Sequence, residues 1–166
     1  MPLFQTVRDL KRQADVLRKR AYGVICTEQG QLKEIRLRPW PKLISAAEIS
    51  LWGNRFHNRA GGDCCWLYYN QPRRHRNFLA LKYIVSSREA TFKTFRRSLI
   101  LLDEIARIKQ TDAIVAELSN LRISDRLARR WGWEPHFPSS RRRHYIKRFY
   151  GTYPCRAAAL SQGGRG

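Results

Sequence analysis

Acidic residues are scarce in this chain. Thirteen Asp plus Glu face 33 Lys plus Arg over 166 residues, a net charge of +20. Like charges at that density oppose compaction, and counterions or an anionic partner relieve the repulsion. Nucleic acid, RNA before DNA, is the polyanion that fits first, because binding releases the counterions condensed on its phosphates. An anionic membrane surface is the second, and a charge run that is merely solvated is the third. No zinc-finger, RNP1, KH or P-loop pattern supplies a ready-made nucleic-acid motif. Cysteine is also sparse: Cys26, Cys64, Cys65 and Cys155 form no CxxC pair. Vicinal Cys64 and Cys65 in a strand would point to opposite faces, so one metal ion could not take both. They read as small hydrophobes in a reducing cytoplasm, with no metal cofactor. No apolar run approaches the roughly 20 residues of a membrane-spanning helix, and the start MPLFQTVRDLKRQADVLRKR has no signal-peptide core.

What is present describes one globular α/β domain over residues 1–153, with a disordered tail over 154–166. Hydrophobic residues make up 43% of the chain, enough to form a core without a staple. Val7, Leu10, Ala14 and Leu17 recur at helical spacing, predicting a basic helix over 6–20 capped by Thr6. Two strands, 22–27 and 32–37, flank a turn at Gln29-Gly30, although Leu32, Ile35 and Leu37 do not alternate cleanly. Ser45 with Glu48 makes a capping box for a helix through Ile49, Trp52 and Phe56. Strands over 64–69 and 78–85 follow, then a helix over 90–109 opened by Ser86 and Ser87. Phe92, Phe95, Leu99, Leu102 and Ile105 form its apolar stripe and are expected in the core. A buried strand over 113–118, a short helix from Ser124 to Trp131 stopped by Gly132, and a last strand over 143–150 complete the domain.

From Leu79 to Tyr150 the order is strand, long helix, strand, short helix, strand. With AIVAELSNLRISDRLARRWGWEPH and RRRHYIKRFY, this stretch resembles the second half of the GCN5-related N-acetyltransferase (GNAT) fold. Gly132-Trp133 stands where that family has Gly-Phe after its short helix. The resemblance implies a mixed, mostly antiparallel sheet flanked by helices. It also implies a cleft where the strand ending at Ser86 splays from the strand at 113–118, and an acyl-CoA-dependent N-acyltransferase activity with acetyl-CoA as cofactor. The family's cofactor turn maps onto Ser87, Arg88, Glu89 and Ala90, at the start of the long helix. Backbone N–H groups at such a turn hold a pyrophosphate, and glycine allows it to approach. The matching stretch, SSREATFKTFRRS, contains no glycine. The family's tyrosine acid falls on Ala128, which transfers no proton.

The second functional reading is a non-enzymatic RNA-binding or ribosome-associated protein on the same scaffold. Its candidates are Arg73, Arg74 and Arg76 in one turn, Arg126 and Arg130 four apart on the short helix, and Arg141, Arg142 and Arg143 before the last strand. Arginine makes bidentate phosphate contacts. Trp66, Tyr68, Tyr69, Trp131, Trp133, Tyr145, Phe149 and Tyr150 interleave with this charge. Exposed rings of this kind stack unpaired bases, whereas buried ones are sheet packing. His57 near Asp63 and Cys64 is the remaining catalytic candidate, and it requires a proximity in space that spacing does not supply.

Overall fold

The computed structural model describes residues 4–41, 61–118, 123–136 and 143–154. The expected helix at Ser45, together with His57, Arg141, Arg142 and the tail beyond Pro154, lies outside them. The elements run β1 (Gln5–Val7), α1 (Ala14–Lys19), β2 (Tyr22–Glu28), β3 (Gln31–Arg38), β4 (Cys64–Asn70), β5 (Phe78–Ser86), α2 (Phe92–Lys109), β6 (Ala113–Leu118), α3 (Asp125–Arg130), β7 (Glu134–His136) and β8 (Arg143–Arg148). They build one mixed sheet in the order β1-β3-β2-β4-β5-β6-β8-β7. Every neighbouring pair is antiparallel except β5 with β6, the two strands joined by α2. The single-domain α/β class expected from the sequence is the class observed.

The expected helix over 6–20 is half strand and half helix. Thr6 sits in β1 opposite Arg36 and caps nothing. The helix cannot start earlier because side chains take the backbone donors: Asp9 Oδ1 accepts from Lys11 N and Arg12 N, and Gln13 Oε1 accepts from Arg8 N and Asp9 N. The imperfect alternation of β3 has its cause in a bulge. Cys26 faces Glu34 but Thr27 faces Leu32, so Lys33 is the extra residue. Gln29 and Gly30 both take positive φ, 51° and 74°, at the hairpin turn. Thr91, rather than Ser86 or Ser87, caps α2, its side chain accepting from Thr94 N.

The core lies between α2 and the sheet. Leu101, Leu102, Ile105 and Ala106 on α2 meet Ile25, Leu67, Leu79 and Ile114 from the central strands, all buried. Each such Leu or Ile contributes about 1.5–3 kcal/mol of transfer free energy. The vicinal cysteines divide between the faces as expected. Cys65 is buried under α2 with its Sγ 3.7 Å from Ser98 Oγ, and Cys64 is half-exposed. Burial pushes the Cys26 thiol up to about 11 and the Cys65 thiol up to about 12, so neither offers a thiolate at neutral pH.

Gly23 in β2 pairs with Tyr69 in β4, whose ring lies across it; a Cβ on Gly23 would meet the Tyr69 hydroxyl at 2.6 Å. The Tyr69 ring is fully buried, and its hydroxyl has no hydrogen-bond partner among the described residues. An unpaired buried hydroxyl costs about 1 kcal/mol or more. Tyr69→Phe is therefore expected to raise Tm by about 2–4 °C. A lower Tm in a thermal melt would show that the hydroxyl is satisfied after all.

Candidate functional site

Three features bear on function: the gap between β5 and β6, the start of α2, and the placement of the arginines. Ladder pairing of β5 with β6 runs from Phe78↔Ala113 to Leu81↔Ala116 and stops there. Beyond that point β5 stays with β4 as far as Cys65↔Ser86, while β6 stays with β8 as far as Leu118↔Arg143. The split begins at a bulge: Tyr69 faces Leu81 but Tyr68 faces Tyr83, leaving Lys82 as the extra residue. A bulge adds twist, and here it turns the last part of β5 away from β6. The strands thus diverge where the resemblance implied a cleft.

The cleft is filled from within. Leu81, Ile84, Phe95, Leu99, Ala128, Trp131 and Trp133 line it and leave about 20 Å³. Among the described residues that cavity has room for a single water. Trp133 is buried because Gly132, at φ 80°, turns the chain back so that Trp133 N donates to Ala128 O at 3.0 Å. Ala128, the residue onto which the resemblance maps a tyrosine, is also buried.

The start of α2 is occupied by a carboxylate of the chain itself. Asp63 Oδ1 accepts from Thr91 N at 2.7 Å, and Asp63 Oδ2 accepts from Thr91 Oγ1 at 2.9 Å and Thr94 Oγ1 at 2.6 Å. Partial desolvation raises the Asp63 carboxyl. The hydrogen bonds from Thr94 and Thr91, with Lys93 nearby, outweigh that effect and hold it below the usual carboxylate range. A negative group at a helix N-terminus is favourable, which is also why phosphates bind there. Of the turn residues, Ser87 is buried, donating from Oγ to Gly62 O at 2.6 Å and accepting from Cys64 N at 3.1 Å. Ala90 N donates to Ser87 O at 3.2 Å. Arg88 and Glu89 are exposed at the lip.

The arginine groups sit at two ends of the sheet. Arg73, Arg74 and Arg76 occupy the β4–β5 turn and are exposed. Gln71 N donates to Ala21 O at 2.7 Å, His75 N to Pro72 O at 3.2 Å and Phe78 N to His75 O at 3.1 Å, so the turn is held in place. Lys109 donates to Gln71 Oε1 at 3.0 Å and Arg20 O at 2.7 Å; burial first, then Arg76, pulls its ammonium down to about 8. Exposed Arg126 and Arg130 lie on α3, beyond the far end of β6. The nine residues of β5 separate the two ends by about 30 Å. Arg143 differs from the others: it donates to Ile123 O, Asp125 Oδ1 and Tyr145 Oη, each at 2.7 Å, and so fastens β8 to the start of α3. Tyr145 Oη also donates to Asp125.

Of the rings read as stacking candidates, Tyr69, Trp133, Tyr145 and Phe149 are core. Tyr68 stacks on Tyr83 at 4.2 Å, and Arg36 lies 5.4 Å over Trp66. Tyr150 is 83% exposed, and Phe92, expected in the core, is 53% exposed. Asp63 and the exposure of Phe92 are the features that sequence reading missed. The Asp63 contacts span 28 and 31 residues and leave no local signal.

The class that fold and site define is a single-domain α/β protein with one mixed sheet, whose long helix has its N-terminus occupied by a carboxylate of the chain itself. No protein-family model matches the chain, and no curated protein sequence matches it. Among solved structures it is similar to the crystal structure of nourseothricin acetyltransferase, at 12% identity and a TM-score of 0.43, over 89% of this chain and 99% of that one. No helix among the described residues is long and apolar enough to cross a membrane.

Proposed function

We propose that this chain is a cytoplasmic nucleic-acid-binding protein, taking RNA before DNA, on an acetyltransferase-like scaffold that does not use its cofactor seat. The observation that carries the reading is the set of exposed arginines at both ends of the sheet. Arg73, Arg74, Arg76, Arg126 and Arg130 form no ion pair among the described residues. Their charge is uncompensated in a chain of net +20. Phosphate is the partner that such side chains recognise in bidentate fashion. The carboxylate of Asp63 stands where a pyrophosphate would sit, and aromatic rings stand where a coenzyme would lie; both support a role without the cofactor.

A second reading, an acyl-CoA-dependent N-acyltransferase acting on an anionic or RNA-linked acceptor, is favoured by the divergence of β5 from β6 at the Lys82 bulge. Ser87, Arg88, Glu89 and Ala90 would then hold the cofactor. Two measurements separate the readings. Labelled RNA is expected to bind with an affinity that falls steeply as salt rises, more tightly than duplex DNA or anionic vesicles. Acetyl-CoA at millimolar concentration is expected to leave Tm unchanged, because only a ligand of the native state raises it. A raised Tm with acetyl-CoA would replace the first reading by the second. Salt-insensitive RNA binding would remove the first outright.

A further inference from the structure

The α3 end of the sheet carries an aromatic surface that charge alone does not employ. Phe92 is the first residue of α2 and is 53% exposed. Its ring centroid lies 5.6 Å from that of Trp131, with the planes at 37°. Trp131 rests in turn on Phe95 at 6.0 Å, and the Arg96 guanidinium lies 5.2 Å from the Trp131 ring. Trp131 is thus clamped between α2 and the close of α3, and Phe92 is the ring left open to solvent. The elements that meet at this ring carry exposed cations, Arg88 four residues before it and Arg126 and Arg130 on the helix that ends at Trp131, whereas Lys93 lies over Gly30 of the β2–β3 turn. Two nearby carboxylates are already engaged, Asp63 with Thr91 and Thr94 and Asp125 with Arg143 and Tyr145; Glu89 is exposed.

An open aromatic face in a cationic surround suits a ligand that is both anionic and flat. Paired bases present only their edges in the grooves, so the face of a base reaches a protein ring only when the base is unpaired. A buried rotor would pay entropy to meet it, whereas Phe92 has two side-chain torsions and a rigid backing. We propose that Phe92, backed by Trp131, is a stacking platform for an unpaired base, and that the polymer held at this end is single-stranded RNA. This rests on the nucleic-acid reading above and adds to it a strandedness and a site.

The test is fluorescence anisotropy of the full chain with a 12-nucleotide adenylate RNA and with a 12-base-pair RNA duplex. The expected results are about tenfold tighter binding of the single strand and about tenfold loss of that binding in Phe92→Ala. Duplex affinity and the salt slope should be unchanged in that variant, since no charge is removed, and Tm should fall by only a few degrees, since about half of the ring is buried on Trp131. Phe92→Tyr should keep the affinity, and Phe92→Leu, which retains apolar area without a π face, should lose it. Equal single-strand binding by wild type and Phe92→Ala, or an equal loss on the duplex, would overturn the platform. Absence of binding to either RNA at low salt would instead overturn the nucleic-acid reading beneath it.

Discussion

Replacing Arg73, Arg74 and Arg76 together by alanine is expected to flatten the salt dependence of RNA binding, lowering the slope of log K against log salt by about 2. Three phosphate contacts at about 0.7 released counterions each give that figure for a single strand. The same slope difference amounts to about a hundredfold in affinity at 0.1 M salt relative to 1 M. The fold should survive, because these side chains are exposed and the turn is held by main-chain bonds from Gln71, His75 and Phe78 and by Lys109 on Gln71. Removing Arg76 also relieves its repulsion of the Lys109 ammonium, so Tm should not fall. An unchanged slope in a salt titration would show that this turn is a solvated charge run and that any binding resides at the other end.

The distance between the ends sharpens that expectation. A strand with the stacked rise of about 3.4 Å per nucleotide needs about nine nucleotides to cover the ~30 Å length of β5, and an extended single strand needs fewer. Oligonucleotides much shorter than that would touch one arginine group and be indifferent to loss of the other. The same separation puts the arginine groups at opposite ends of the sheet. Chain direction decides it: β5 carries the 73–76 turn at its start and the α2 lip at its finish.

Elements governed by local chemistry were legible in the sequence. The β2–β3 hairpin follows from Gln29-Gly30, α3 from the Ser124 side chain accepting Leu127 N and from Gly132, and α2 from its long apolar stripe. The elements missed are those that local chemistry does not determine. The edge strands β1 and β7 have three residues each and exist only through pairing with β3 and β8. Phe92 shares the apolar stripe of α2 yet stands half in solvent, because in the first turn of the helix it is Thr94 that faces the sheet, buried and bonded to Gly30 N and Thr27 Oγ1, while Phe92 turns toward Trp131. Arg143 reads as one of a run of arginines; its three acceptors lie at the start of α3 and on its own strand, and they turn a candidate phosphate ligand into a fastening. The cleft was legible as topology, but its filling was not, since the contact of Trp131 with Phe92 and Phe95 joins residues nearly 40 positions apart.

The carboxylate of Asp63 gives the clearest way to separate the two functional readings. Asp63→Ala removes the acceptor of three hydrogen bonds from Thr91 and Thr94 and the negative charge at the start of α2. Loss of such a cap costs about 1–2 kcal/mol, and loss of the charge about 0.5 kcal/mol more. For a domain of this size Tm is then expected to fall by about 6 °C. The vacated Thr91 N–H and the Thr91 and Thr94 hydroxyls would be open to an external anion, so millimolar inorganic pyrophosphate should restore about 4 °C to Asp63→Ala and nothing to the wild type. Asp63→Asn, which keeps one acceptor for Thr91 N without the charge, should fall between the two in Tm. If pyrophosphate or acetyl-CoA already stabilises the wild type, the carboxylate does not block the helix and the acyltransferase reading gains the seat it needs. If neither stabilises Asp63→Ala, filling of the cleft by Trp131 and Trp133, rather than Asp63, is what closes the site. A Trp131→Ala change in the Asp63→Ala background, followed by the same two ligands, then measures how much of the cleft the rings had taken.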